Sequence, residues 1–218
     1  MLCVLPRERK TGFETVVTCD EDCYHSMVKL SSQYANKIAI DRAFHRLTLT
    51  AGSCSMHPME IAALNRFPEY APILAHWSYM EWYRARSMDF NLVLRAYQER
   101  ARNEGVPLSF VAMDGSLPVG MVTLKLDDLW SRKDLNPWLA SLYVLPDYRK
   151  AGAGDALIRA VIARAQGLGY GRIYLFLGQH DRDWLLGYYL RRGWEVVEDA
   201  VDNDGLPTTI LAYETHGF

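Results

Sequence analysis

The sequence lacks an excess of charge of either sign. Its 24 Lys and Arg residues against 26 Asp and Glu residues leave a formal net charge of -2 at pH 7. Such a chain has no broad positive field, so we expect no nucleic-acid partner. It also lacks the run of about 18 apolar residues that a membrane-spanning helix needs, and the N-terminal segment "MLCVLPRERK" becomes charged too early for a secretory signal. We therefore expect a cytoplasmic protein without a membrane partner.

Cysteine is scarce and confined to the start of the chain. The four cysteines are Cys3, Cys19, Cys23 and Cys54, so the rest of the chain must hold together without disulfides. Cys19, Cys23 and His25 could bind zinc, but structural zinc sites usually combine two ligand pairs, and no second pair follows here. We interpret these residues as incidental thiols and expect no metal.

Regular hydrophobic patterning is weak before residue 56 and clear after it. Residues 1–55 show no sustained period, apart from a short helix that is possible over 34–47. With 218 residues, half of them hydrophobic, the chain suits one domain plus an extension. We predict an N-terminal extension over 1–55, whose pattern is compatible with weak order, and a folded domain over 56–218.

The patterning after residue 56 predicts the element order β-α-α-β-β-β-α-β-α-β-β, a mixed α/β layout. A β-hairpin is predicted with strands over 108–113 and 119–126 and a turn at Asp114-Gly115. An aromatic-rich helix is predicted within 68–83. Its apolar residues near one face are Ile73, Leu74, Trp77, Met80 and Trp82.

Two glycines stand at the start of another predicted helix, in the segment "YRKAGAGDAL" of residues 148–157. The first N–H groups of a helix have no partner within it, and the helix dipole makes that end positive. Without Cβ atoms at Gly152 and Gly154 an anion can approach the backbone closely, and Arg149 and Lys150 add cations. The segment thus predicts a phosphate or diphosphate site. A tight turn without a ligand is the alternative interpretation of the same glycines.

A wider segment decides between these interpretations. "WLASLYVLPDYRKAGAGDALIRAVIARAQGLGYGRIYLFL", followed by "YYLRRGW", resembles the GNAT superfamily of N-acetyltransferases. Its signature Arg/Gln-x-x-Gly-x-Gly/Ala is matched by Arg149, Gly152 and Gly154. A second signature, Tyr-x-x-x-Gly-aromatic, is matched by Tyr189, Gly193 and Trp194. The resemblance extends over residues 56–218.

The resemblance implies a GNAT-like α/β fold, with a mostly antiparallel sheet, about four flanking helices and two splayed parallel strands where acetyl-CoA binds. The Tyr189 hydroxyl would be the catalytic acid for the departing CoA thiolate, whereas Tyr188 is interpreted as structural. Asp155 departs from the usual pattern, since its carboxylate would repel a diphosphate. The residues that would bind acetyl-CoA, largely through their backbone, are Leu142, Tyr143, Val144, Arg149, Lys150, Ala151, Gly152, Ala153, Gly154 and Asp155.

The implied reaction moves an acetyl group from acetyl-CoA directly to a primary amine in a ternary complex. Transfer of a longer acyl group is one alternative, and a CoA-binding regulatory or interaction module without turnover is another. Asp127, Asp128, His180 or a chain of waters could remove the proton from the amine. The acceptor could be a small molecule or a peptide, and the resemblance is compatible with a homodimer.

Overall fold

The computed structural model describes residues 59–178 and 182–215. Seven strands form one sheet in the order β1-β2-β3-β4-β5-β7-β6, and every neighbouring pair is antiparallel except β4 and β5. The predicted mixed, mostly antiparallel sheet is therefore confirmed. The strands are β1 (Glu60–Ala63), β2 (Leu108–Asp114), β3 (Leu117–Lys125), β4 (Trp138–Val144), β5 (Arg172–Phe176), β6 (Glu195–Val201) and β7 (Pro207–Glu214).

Four α-helices lie within the described residues, and the predicted element order is confirmed. They are α1 (Ala71–Ser78), α2 (Phe90–Arg100), α3 (Ala153–Gly167) and α4 (Arg182–Leu190). None of these helices combines the length and the hydropathy that crossing a membrane requires. The predicted extension, its possible helix and the trio Cys19, Cys23 and His25 lie outside the described residues.

Two hydrophobic clusters cover opposite faces of the sheet. Along β2, Ala112 belongs to the cluster that contains α3, and Val111 and Met113 belong to the cluster that contains α1 and α2. This alternation follows from the period of two in a strand. In α3, the residues Leu157, Ile158, Val161, Ile162 and Ala165 are all buried, as their helical spacing predicts.

The aromatic helix differs from the prediction at its C-terminal end. After Ser78 the α-helix continues as a π-helical turn over Tyr79–Tyr83. The N–H of Tyr79 still bonds to the carbonyl oxygen of Ala75 as in an α-helix, whereas the N–H of Arg84 bonds to the carbonyl oxygen of Tyr79, so the wider turn follows Tyr79. Tyr79 is 8% exposed, whereas Met80, predicted near the core face, is 40% exposed.

The β-hairpin is confirmed, but its turn lies one residue later than predicted. β2 extends to Asp114, β3 begins at Leu117, and Gly115 and Ser116 form the turn. Gly115 takes φ 60°, a conformation that glycine adopts without steric cost. The register between the strands shifts near Ala112 and Met113, an irregularity that the alternating pattern does not reveal.

Candidate active site

The parallel strands β4 and β5 separate where β4 contains an irregularity. On β3, Thr123 pairs with Ala140 and Met121 pairs with Tyr143, so Val122 faces two residues of β4 instead of one. This is a β-bulge, and Ser141 within it takes φ 52°. The one pair that joins β4 to β5 is Trp138 with Tyr174.

The bulge leaves the second half of β4 accessible. Trp138, Leu139 and Ala140 are buried, whereas residues 141–144 are partly exposed. Because β5 pairs with β4 only near the start of that strand, the backbone groups of residues 141–144 on this side have no strand partner within the described part of the chain. An extended ligand that carries amides could hydrogen bond there.

The N-terminus of α3 lies beyond the end of β4 and is open. Its N-cap, Gly152, takes φ 86° and ψ -1°, and no side chain among the described residues caps the helix. The first intrahelical bond runs from Ala156 N to Gly152 O at 3.0 Å, so the N–H groups of Ala153, Gly154 and Asp155 precede the helical ladder. A Cβ built on Gly152 would meet no heavy atom of residues 59–178 and 182–215 within 4 Å.

Arg149 and Lys150 lie in the loop before α3, and both are exposed. The Arg149 Nε donates to the carbonyl oxygen of Val144 at 3.0 Å, which ties the loop to the end of β4. Lys150 takes φ 67°, a left-handed conformation that is uncommon for a residue with a side chain. The structure therefore brings together the predicted residues of β4, the loop and the first turn of α3.

Asp155, on that first turn, is not a bare carboxylate. Its Oδ1 accepts from Arg192 Nε at 2.7 Å and its Oδ2 accepts from Arg192 Nη2 at 2.9 Å. The Tyr188 hydroxyl also donates to Oδ1. The hydrogen bonds from Arg192 and Tyr188 hold the pKa of Asp155 below its usual range, so the group is ionised at neutral pH. The expected repulsion of a diphosphate is thus offset by a guanidinium.

Tyr189 is buried at 6% exposure, beside the ring of Tyr188 and the ring of Trp194. Both contacts are edge-to-face, with centroid distances of 5.2 Å to Tyr188 and 5.5 Å to Trp194. Burial raises the pKa of Tyr189 above its ordinary value, so its hydroxyl stays protonated at neutral pH. This is the protonation state that an acid catalyst requires.

The candidate bases are less well defined by the structure. Asp128 forms an ion pair with Lys125, and its backbone carbonyl accepts from Asn203 Nδ2 at 2.8 Å. Asp127 is exposed, and His180 lies outside the described residues. These aspartates follow β3, near Trp138 at the start of β4 rather than at the bulge, so their role as bases stays a prediction.

The sequence did not indicate Ser141 or Arg192 as residues of this site, and it gave Tyr188 only as a structural residue without its partner Asp155. The spacing of four between Tyr188 and Arg192 places them on one side of α4 and its last turn, which is a signal for contact. The partner Asp155 is far away in sequence, so no local pattern could reveal it. For Ser141, a polar residue within an otherwise apolar strand was the only hint.

Comparison with known proteins identifies the family. Residues 72–194 match the model of the acetyltransferase (GNAT) family, and this match covers more than half of the chain. The chain therefore belongs to the GNAT acetyltransferase family, which confirms the resemblance and makes acetyl transfer from acetyl-CoA its activity. None of the curated proteins searched matches the chain.

Solved structures share the fold at low sequence identity. An aminoglycoside 6'-N-acetyltransferase complexed with coenzyme A has a TM-score of 0.56 and 17% identity, covering 73% of this chain and 99% of its own. A GNAT-family acetyltransferase from Staphylococcus aureus Mu50 has a TM-score of 0.53 and 17% identity, and the match covers 72% of this chain and 99% of that protein. A spermidine N-acetyltransferase chimera from Vibrio cholerae and hSSAT has a TM-score of 0.55 and 11% identity, and the match covers 73% of this chain and 96% of that protein. At these identities the similarity shows the fold.

The chemistry of acetyl-CoA fits the residues of this site. The carrier contains amides along an extended arm and a diphosphate beyond it. The accessible part of β4 offers backbone groups for the amides, and the open end of α3 offers N–H groups for the diphosphate. The space beside Gly152, which a Cβ would enter, is compatible with close approach of an anion.

Proposed function

We propose that this protein acetylates a primary amine with acetyl-CoA, by direct transfer in a ternary complex. The observation that carries the proposal is the accessible segment of β4 next to the uncapped end of α3. The first binds an amide chain and the second binds an anion, and acetyl-CoA carries both groups in one molecule.

Within this proposal the backbone holds most of the carrier. Leu142, Tyr143 and Val144 pair with its amides, and the loop and first turn over residues 150–155 hold its diphosphate. Arg149 fixes the loop through Val144 and contributes positive charge, as does Lys150. Acetyl-CoA supplies an activated acetyl thioester to the site.

Tyr189 is the proposed acid. Its hydroxyl, kept protonated by burial, donates its proton to the sulfur that leaves as the amide forms. The proton that the amine nitrogen loses passes to a base, for which Asp127, Asp128, His180 and a chain of waters are the candidates, and solvent returns a proton to Tyr189. The acceptor is an amine on a small molecule or a peptide. The names of structural neighbours, which mention aminoglycosides and spermidine, favour an amine acceptor. We also propose a cytoplasmic location, and the homodimer stays a prediction.

A thiol-release assay with acetyl-CoA and a panel of amines tests the function. The variants are Gly152→Asp and Gly152→Asn, because both side chains tolerate the left-handed conformation of this position and they differ by one charge. We expect Gly152→Asp to raise the KM for acetyl-CoA about tenfold more than Gly152→Asn does, because a carboxylate beside the diphosphate repels it.

Two outcomes would contradict the proposal. Equal KM values for the two variants would show that no anion binds at this loop. Binding of acetyl-CoA by the wild type without thiol release for any amine would contradict transfer to an amine. Thermal unfolding of both variants is the control for folding.

A further inference from the structure

A cluster of four side chains links the first turn of α3 to α4. Asp155 comes from α3, Trp184 and Tyr188 come from α4, and Arg192 lies two residues beyond the end of α4. The cluster lies beside the loop proposed to hold the diphosphate, because a Cβ on Gly154 would be 3.3 Å from the Tyr188 hydroxyl oxygen.

Arg192 is held in place by several contacts. Besides its two hydrogen bonds to Asp155, its Nη1 donates to the backbone oxygen of Tyr188 at 2.9 Å. Its guanidinium carbon also lies 3.5 Å from the centroid of the Tyr188 ring, a cation–π contact. The ring of Trp184 stacks on the ring of Tyr188, with 5.3 Å between the two centroids. The guanidinium therefore has one defined position against the carboxylate.

The position of Asp155 makes this pairing important for an anion. Asp155 is the third residue of α3, so its own N–H belongs to the group that the diphosphate would use. A carboxylate on the first turn stabilises the helix dipole, but it also opposes a second anion at the same end. The side chain does not cap the helix and is directed instead to Arg192 and Tyr188.

We propose that Arg192 is a positioning residue that neutralises Asp155 and holds its carboxylate against α4, so that the diphosphate of CoA can bind at the N-terminus of α3. Arg192 acts through Asp155 and not by contact with the ligand. The inference rests on the proposed function, since it requires CoA at this loop.

A charge cycle tests the inference by calorimetric titration with CoA. Arg192→Gln leaves the carboxylate without its cation, and we expect the Kd for CoA to rise about tenfold. Asp155→Asn should bind CoA at least as tightly as the wild type, because it removes the anion and leaves the cation. The double variant Arg192→Gln/Asp155→Asn should return to within about twofold of the wild type, since neither charge remains.

The matched control is Arg172→Gln. It causes the same change in net charge, and it removes a surface ion pair with Glu214, 2.9 Å long, at the start of β5. The second control is Arg192→Lys, which keeps the charge but loses the two-pronged geometry, and it should fall between the wild type and Arg192→Gln. The fall in kcat/KM caused by Arg192→Gln should be smaller with S-acetylpantetheine, which has no phosphate, than with acetyl-CoA.

The outcomes separate the inference from the function on which it rests. If the wild type releases no heat with CoA and gives no thermal shift, the proposed function fails. If the wild type binds but Arg192→Gln binds equally well, the inference fails. It also fails if the double variant stays as weak as Arg192→Gln, because a purely structural role predicts that result. Should Arg192→Gln not fold, weaker binding by Asp155→Asn than by the wild type would overturn the inference alone.

Discussion

At the scale of single residues, two adjacent tyrosines on α4 have different surroundings. Tyr188 is partly buried, and its hydroxyl donates to Asp155. Tyr189 is almost fully buried among aromatic rings. The resemblance to the GNAT superfamily, through the signature formed by Tyr189, Gly193 and Trp194, implied that Tyr189 is the acid. The tie between Tyr188 and Asp155 could not be predicted, because it depends on how α3 and α4 pack.

Tyr189→Phe tests the proposed acid, with Tyr188→Phe as the matched control. Loss of a general acid lowers kcat by about a hundredfold or more, whereas Tyr188→Phe removes a hydroxyl that serves Asp155. Steady-state kinetics should show a fall in kcat for Tyr189→Phe with little change in the KM for acetyl-CoA. Full activity in Tyr189→Phe would remove the tyrosine from the proposed chemistry.

The same residue predicts a pH dependence. The acid form of Tyr189 is active, so activity is lost as the pH rises through the pKa of this group. Because burial raises the pKa, the loss in the wild type should occur above the ordinary tyrosine value of about 10. If the activity of the wild type falls at a pH below about 10, and Tyr189→Phe does not show this fall, the raised pKa assigned to Tyr189 is contradicted.

At the scale of elements, the end of β4 is held at close range by β3. Gly120 pairs with Val144, and a Cβ on Gly120 would lie 2.9 Å from the backbone oxygen of Tyr143. Only a residue without a side chain permits this approach. The glycine therefore fixes the course of the β4 segment that is proposed to bind acetyl-CoA.

Gly120→Ala should destabilise the protein and weaken its affinity for CoA. Forcing a methyl group against a strand backbone costs about 1–3 kcal/mol in the free energy of unfolding. Gly105→Ala is the control, because a Cβ there would meet no heavy atom within 4 Å. Chemical denaturation and calorimetry measure the two effects. Equal free energies of unfolding for the two variants would mean that the close approach of Gly120 to Tyr143 does not affect stability.

The elements also show what periodicity can and cannot predict. The apolar stripe of α3 follows directly from residue spacing, and its residues are buried as predicted. The bulge at Ser141 and the π turn over Tyr79–Tyr83 are not visible in the pattern. Each inserts one residue into a regular repeat, and its position is decided by packing against neighbouring elements.

At the scale of the whole molecule, the described residues already contain a sheet with a hydrophobic cluster on each face. The family match over 72–194 lies inside the predicted domain of residues 56–218. The order of the elements was predictable because each has a strong local pattern. The separation of β4 from β5 depends on long-range pairing, so only the resemblance to a family indicated it.

A fragment of residues 56–218 tests the predicted domain organisation. We expect it to unfold in one cooperative transition and to bind CoA with the Kd of the full chain, because it contains the whole family match over 72–194 and the proposed CoA-binding residues. Bound zinc, measured in the full chain and in the fragment, tests the interpretation of Cys19, Cys23 and His25 as incidental thiols. An insoluble fragment or zinc in the full chain alone would contradict these expectations.

The bulge in β4 has a mechanical consequence for the sheet. The group of four strands β1 to β4 is joined to the group of three strands β5, β7 and β6 by one residue pair of the described sheet, Trp138 with Tyr174. Helix α3 packs against strands β1 to β4 and against β5, and so it connects the two groups of strands. Its first turn also follows the loop of Gly152. Any change in the angle between these two groups of strands therefore displaces the helix end whose amides are proposed to bind the diphosphate.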